Sequence, residues 1–156
     1  MTDGLKRAWA EMVQPLLRRP PELQVAALCM RAGADGPEVL MITSRDTGRW
    51  VLPKGWLMDG RATAEAAMIE AWEEAGVRPT AASPVHIGHY HYDKQLDGGY
   101  SAPVRVELYR FEVADLARDY PERAERARLW LSPEQAAERV DEPELAEILR
   151  NLQATT

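Results

Sequence analysis

A chain of 156 residues, 46% of them hydrophobic and 28% charged, makes one ordinary domain with enough apolar side chains for a core. Its 19 basic and 25 acidic residues leave a net charge of −6, which argues against a broad nucleic-acid-binding surface. Residues 1–11 have no apolar core of signal-peptide length, and no run of about 18 apolar residues occurs, so the expectation is a soluble, cytoplasmic protein without a membrane span.

In chain order, residues 5–17 read as an amphipathic helix ended by Pro20-Pro21, a short helical extension before the main domain. Residues 24–31 and 38–44 read as two strands around the turn Gly33-Ala34-Asp35-Gly36. The one cysteine, Cys29, lies in the apolar run 25–30, which suits buried strand filler; a lone cysteine also excludes an internal disulfide and a cysteine-rich zinc site. Trp50-Val51-Leu52 is a short strand feeding a turn at Pro53-Lys54-Gly55. A helix follows, with Thr63 as its N-cap and Gly76 just past its end. Residues 85–94 and 104–113 alternate at period 2 around Leu96-Asp97-Gly98-Gly99, a hairpin signal. That alternation puts His89 and His91 on one strand face, a pair short of the three or four ligands of a zinc site, and Tyr90 and Tyr92 on the other. With Tyr100 and Trp56, those tyrosines are candidates for stacking on a base. Leu129-Trp130-Leu131 precedes a helix opening at Ser132-Pro133, and a last helix runs from residue 143 to about 152.

The informative stretch is Leu52-Pro53-Lys54-Gly55 followed by Glu70-Ala71-Trp72-Glu73-Glu74-Ala75-Gly76-Val77. Carboxylates at i, i+3 and i+4 cover roughly 100° of one helix face. Three glutamates alone are commonly a solvated surface. Here Ala64, Ala67, Met68, Ala71 and Ala75 form an adjoining apolar stripe, and small residues such as Ala66 and Ala71 beside the acidic face leave room for a ligand. Clustered like charges call for a cation, and a hard, oxygen-preferring one suits them.

Residues 55–77 resemble the Nudix box: Gly, five residues, Glu, seven residues, Arg-Glu, an apolar residue, any residue, Glu-Glu, any residue, Gly and an apolar residue. Gly55, Glu70, Ala71, Glu73, Glu74, Gly76 and Val77 fall at the required spacings. Arg61 stands where the family has its first Glu, and Ile69 where it has Arg. Those two family groups carry opposite charge and could pair, so losing both leaves no lone charge behind. The resemblance implies an α/β fold, the α/β/α sandwich with a mixed sheet between helices, in a single domain over residues 1–156. The lead-in Trp50-Val51-Leu52-Pro53-Lys54-Gly55, with Tyr120-Pro121-Glu122 and Leu129 to Glu134 downstream, is similar to the diphosphoinositol polyphosphate and diadenosine polyphosphate hydrolase branch.

The activity so implied is hydrolysis of a diphosphate bond in a nucleoside diphosphate linked to another moiety, with Mg²⁺ or Mn²⁺ as cofactor and a small phosphorylated molecule as the only expected partner. Glu70, Glu73 and Glu74 are the expected metal ligands and catalytic carboxylates, with a backbone carbonyl near Lys54-Gly55. One carboxylate takes the proton of the attacking water, without assignment to a single Glu. Glu122 or Glu125 could add a further ligand. Arg45, Arg49 and Lys54 are the candidates for holding phosphate. Alternatives are a domain that binds nucleotide as a regulator without turnover, and an ADP-ribose pyrophosphatase. An isoprenoid diphosphate isomerase, which needs a catalytic cysteine outside the box, fits poorly with Cys29 in mid-strand.

Overall fold

Alternation along residues 25–30 sets the architecture. Val25, Ala27 and Cys29 point into one apolar cluster, Ala26, Leu28 and Met30 into another, and all six are buried. A strand apolar on both faces belongs in the middle of a sheet covered on both sides. The computed structural model describes residues 20–152, so the helix expected at 5–17 lies outside the described residues. The strands are β1 (Glu22–Gly33), β2 (Gly36–Thr43), β3 (Trp50–Val51), β4 (Lys54–Trp56), β5 (Val77–Pro79), β6 (Val85–Gln95), β7 (Ser101–Leu116) and β8 (Arg128–Leu131). The helices are α1 (Thr63–Ala75), α2 (Pro133–Arg139) and α3 (Pro143–Asn151).

The sheet is mixed. β1 runs parallel to β7 from Glu22↔Val104 to Met30↔Glu112, and antiparallel to β2 and β4. β2 also pairs with β3 and β8, and β7 with β5 and β6. On one face Ala66, Ala67, Ala71 and Ala75 of α1 meet Val25, Ala27, Cys29, Leu40 and Ile42. On the other, Ala136, Ala137, Leu145 and Leu149 of α2 and α3 meet Leu28, Met41, Val106 and Leu108. The result is the expected α/β/α sandwich. Each fully buried Leu, Ile or Met stabilises it by about 1.5–3 kcal/mol through area removed from water.

Local expectations hold in most places. The 85–94 and 104–113 segments form β6 and β7, joined by a 3₁₀ turn at Asp97–Gly99 in which Gly98 has φ 80°. Ser132 caps α2 in a reciprocal capping box with Gln135, with Pro133 in the first turn. Cys29 is fully buried, and burial pushes its thiol well above the usual range. Two readings are corrected. The N-cap of α1 is Ala62 rather than Thr63, because the Thr63 hydroxyl is bonded to the Tyr109 hydroxyl on β7. The turn at residues 53–55 is in part a strand: Lys54, Gly55 and Trp56 pair with Ala26, Val25 and Gln24, and Pro53 O accepts the Ala27 N–H at 2.9 Å.

Candidate active site

Pinning residues 53–56 to β1 decides what each side chain faces. Directly opposed residues on paired strands point to the same side of the sheet. Gly55 opposes Val25, so its Cα looks toward α1. A Cβ at Gly55 would lie 2.3 Å from the Glu70 carboxyl carbon, so only glycine lets α1 seat Glu70 against this strand. Lys54 opposes Ala26 and sends its side chain to the other face, where Nζ lies 5.5 Å from the Tyr92 ring centroid. Its backbone remains on the helix side: the Lys54 N–H donates to Glu74 Oε2 at 2.9 Å.

The end of α1 is fixed from several directions. Gly76 ends it in the left-handed region at φ 67°, beneath the Tyr120 ring, where a Cβ would approach to 2.6 Å. The last turn has no basic residue of its own. Arg128 supplies the charge from β8, donating to Ala75 O at 3.0 Å and Ala117 O at 2.9 Å. The loop before β8 folds back on the helix through Glu122 N–H to Glu73 O at 3.0 Å, which brings a fourth carboxylate beside the three on α1.

Glu70, Glu73, Glu74 and Glu122 line one cleft of about 400 Å³ with Arg45, Lys54, Lys94 and Arg126, and with Gln24, Trp56 and Tyr92 in its wall. Arg45 reaches Glu122 at 3.7 Å and Glu125 at 3.6 Å. The Arg126 side chain is 8% exposed and lies 3.0 Å from both Glu74 Oε1 and Glu122 Oε1. Arg49 does not line this cleft. Its guanidinium pairs with Asp141 at 3.2 Å and Glu142 at 3.0 Å and borders an adjoining recess shared with Lys54, Tyr92 and Lys94. Glu125 also lies outside the cleft lining, whereas Glu122 is inside it. Of the aromatics, Tyr90 is buried in the core, Tyr92 donates to Gln24 Oε1 at 2.6 Å, and Trp56 sits 40% exposed with Lys94 Nζ 4.7 Å from its ring centroid. His89 and His91 make an edge-on ring pair, and His91 is bonded to Glu144.

Burial and mutual repulsion set the electrostatics of the cleft carboxylates. Burial, then the charges of Glu74, Glu73 and Glu122, push the Glu70 carboxyl up to about 7. Burial also raises Glu74, held back by Arg126 and the Lys54 N–H. Burial lowers the Lys54 ammonium below the ordinary lysine range, with Glu74 opposing. Among the described residues no three His, Cys, Asp or Glu side chains are already gathered around one point for a metal ion, since Glu74 is closed on Arg126 and Lys54. By donor chemistry the residues fit Mg²⁺ or Mn²⁺: all are hard oxygens, and their mutual repulsion is what such an ion relieves.

The comparison with known proteins gives this geometry a family. Residues 22–152 match the NUDIX domain. The chain belongs to the NUDIX family. It is 30% identical over 115 residues to Nudix hydrolase 16, mitochondrial, of Arabidopsis thaliana, a match covering 72% of this chain and 63% of that protein. Human diphosphoinositol polyphosphate phosphohydrolase 3-beta is 26% identical over 115 residues, covering 72% of this chain and 65% of that protein. This NUDIX chain thus spans less than two thirds of the length of these curated relatives. The fold matches a Caenorhabditis elegans Ap4A hydrolase with TM-score 0.63 at 20% identity, covering 87% of this chain and 98% of that one. It also matches the NUDIX domain of Shewanella oneidensis NrtR complexed with ADP ribose, with TM-score 0.64 at 15% identity over 98% of this chain and 99% of that one.

Proposed function

We propose that this NUDIX chain is a divalent-metal-dependent pyrophosphohydrolase. Its substrate class is a nucleoside diphosphate linked to another moiety, or an inositol pyrophosphate, with dinucleoside polyphosphates and inositol pyrophosphates preferred. The observation that carries the proposal is the meeting of Glu70, Glu73, Glu74 and Glu122 with Lys54 and Arg45 in one cleft beside Gly55. The curated relative named for diphosphoinositol polyphosphates supports the substrate class.

Glu70, Glu73 and Glu74 would hold Mg²⁺ or Mn²⁺. When bound, that ion neutralises diphosphate oxygens and acidifies the attacking water. The remaining steps fall to the chain. Lys54 and Arg45, which line the same cleft, hold non-bridging phosphate oxygens and orient the diphosphate. Water oxygen bonds to phosphorus as the bridging P–O bond breaks, and a carboxylate of the cleft takes the water proton. Both products end in phosphate, one of them carrying the incoming oxygen. Trp56, exposed at the lip, offers a face for a base.

A panel of diadenosine polyphosphates, inositol pyrophosphates, ADP-ribose and nucleoside triphosphates, read by phosphate release and product mass with Mg²⁺ and with EDTA, tests the proposal. Metal-dependent cleavage at a diphosphate bond supports it. A second reading, nucleotide binding without turnover, draws on Glu74, whose two oxygens are already engaged by Arg126 and the Lys54 N–H. Tight binding of a panel compound with no product at any metal concentration would select it.

A further inference from the structure

The hydrolysis scheme leaves Arg126, a residue of the cleft lining, without a role. Its side chain is 8% exposed, and its planar fork joins three elements. One terminal nitrogen forms ion pairs with Glu74 Oε1 and Glu122 Oε1, each at 3.0 Å, and Nε donates to Glu122 Oε1 at 3.1 Å. The other terminal nitrogen donates to the Thr43 carbonyl at the end of β2, at 3.1 Å. The frame around it is also fixed. Thr43 N–H donates to Ala127 O at 3.1 Å, and Ala127 N–H to Thr43 Oγ1 at 2.9 Å. Glu74, meanwhile, has its second oxygen on the Lys54 N–H. A glutamate held from both sides by groups that are themselves anchored has lost the rotamer freedom of its neighbours on an open helix face. A lysine ammonium, a point charge without the fork, could not span these acceptors in the same way.

We propose that Arg126 is a positioning residue. It holds Glu74 and Glu122 in the orientation that hydrolysis uses, and its fixed positive charge weakens the cleft's affinity for divalent cations as the cost of that order. The proposal rests on the hydrolase reading above. A residue that only supports the loop would change folding without splitting metal affinity from turnover. Arg126 should split them. Removing its charge leaves the acidic cleft more attractive to a cation while the carboxylates lose their alignment.

The test compares wild type, Arg126→Gln and Arg126→Lys, with thermal melts as a folding control. Mn²⁺ binding is measured without substrate, by calorimetry or paramagnetic resonance. Turnover is measured on the panel compound that the wild type cleaves fastest. Arg126→Gln should bind Mn²⁺ about tenfold more tightly, yet lose about 30-fold or more in kcat with KM changed by less than about threefold. Arg126→Lys, which keeps the charge and loses the fork, should bind Mn²⁺ within about twofold of wild type and still lose about tenfold in kcat. If Arg126→Gln fails to fold, the lysine variant decides alone. Equal or weaker Mn²⁺ binding in a folded Arg126→Gln, or full kcat in Arg126→Lys, overturns the proposal. Wild-type protein that neither binds Mn²⁺ nor cleaves any compound rejects the hydrolase reading itself.

Discussion

The Glu70 carboxyl lies over the Cα of Gly55, where a single added methyl group would come within 2.3 Å of it. Gly55 is therefore required by what sits above it. Gly55→Ala should leave the melting temperature within a few degrees, because Glu70 ends a flexible, half-buried side chain that can swing away. It should lower kcat by about tenfold or more, since the displaced carboxylate is one of the proposed ligands. Shortening the acid in Gly55→Ala/Glu70→Asp should recover part of the loss. A double variant no better than the product of the two singles would mean that the collision is not what matters.

Glu73 and Glu74 should part company in stability. Glu74 is buried and paired with Arg126, whereas Glu73 is half-exposed and its carboxylate has no ion pair among the described residues. Glu74→Gln should cost about 1–3 kcal/mol, because one of the two oxygens facing Arg126 and the Lys54 N–H becomes an amide group that cannot accept. Glu73→Gln should be within about 0.5 kcal/mol of wild type. Urea unfolding of both in EDTA checks this, and equal losses would contradict the inward position of Glu74.

Glu70, pushed up to about 7 from 4.5 by burial and by Glu74, Glu73 and Glu122, gives a pH signature. Between those two values the folded chain binds more protons at this site than the unfolded chain. The site therefore subtracts stability as pH rises from about 4.5 to 7. In EDTA, wild type should lose melting temperature across that window relative to Glu70→Gln, and Mg²⁺ should restore more at pH 8 than at pH 5. A difference between the two proteins that is flat in pH would remove the repulsion on which this rests.

Arg61, which stands where the NUDIX box has its first Glu, pairs with Glu65 one turn along. A thermodynamic cycle for this departure therefore belongs on positions 61 and 65. Both side chains are about half exposed, so Arg61→Glu should cost only a few tenths of a kcal/mol, and Arg61→Glu/Glu65→Lys should recover it. A loss above about 2 kcal/mol in thermal melts would show that Arg61 holds the loop before α1 in some further way.

Much of this was legible in the sequence because it is local. Period-2 alternation located β6 and β7, apolar runs around a glycine turn located β1 and β2, and Gly76, Ser132 and Pro133 marked helix ends by their own backbone preferences. The spacing of Glu70, Glu73 and Glu74 placed them on one face without any tertiary knowledge. What was missed depends on partners far away in the chain. β4 and β5 have three residues each and contain glycine or proline, so they exist as strands only because β1 and β7 supply their hydrogen bonds. Thr63 lost its capping role to Tyr109, 46 residues on. Arg49 turned to Asp141 and Glu142, more than 90 residues on, which no local pattern could reveal. Arg126 left one faint signal: it stands four residues after Glu122, the partner it meets in the cleft.

Substrate choice should follow the cations. Lys54 and Arg45 line the cleft together with the glutamates, so diadenosine polyphosphates should be cleaved faster than ADP-ribose at equal concentration and moderate salt. Lys54→Met should weaken the polyphosphate reaction more. Equal losses on both substrates would assign Lys54 to site geometry and not to substrate choice.

The central claim is that the Glu70, Glu73 and Glu74 face is a metal-dependent hydrolytic site. It is tested most directly by the turnover of Glu73→Gln and Glu74→Gln, each shown to be folded, on a diphosphate compound cleaved by the wild type in Mg²⁺. Amide oxygens bind Mg²⁺ poorly and accept no proton, so each variant should lose on the order of 10²-fold or more in kcat, and wild type should lose all activity in EDTA. Undiminished turnover in both variants would contradict the claim.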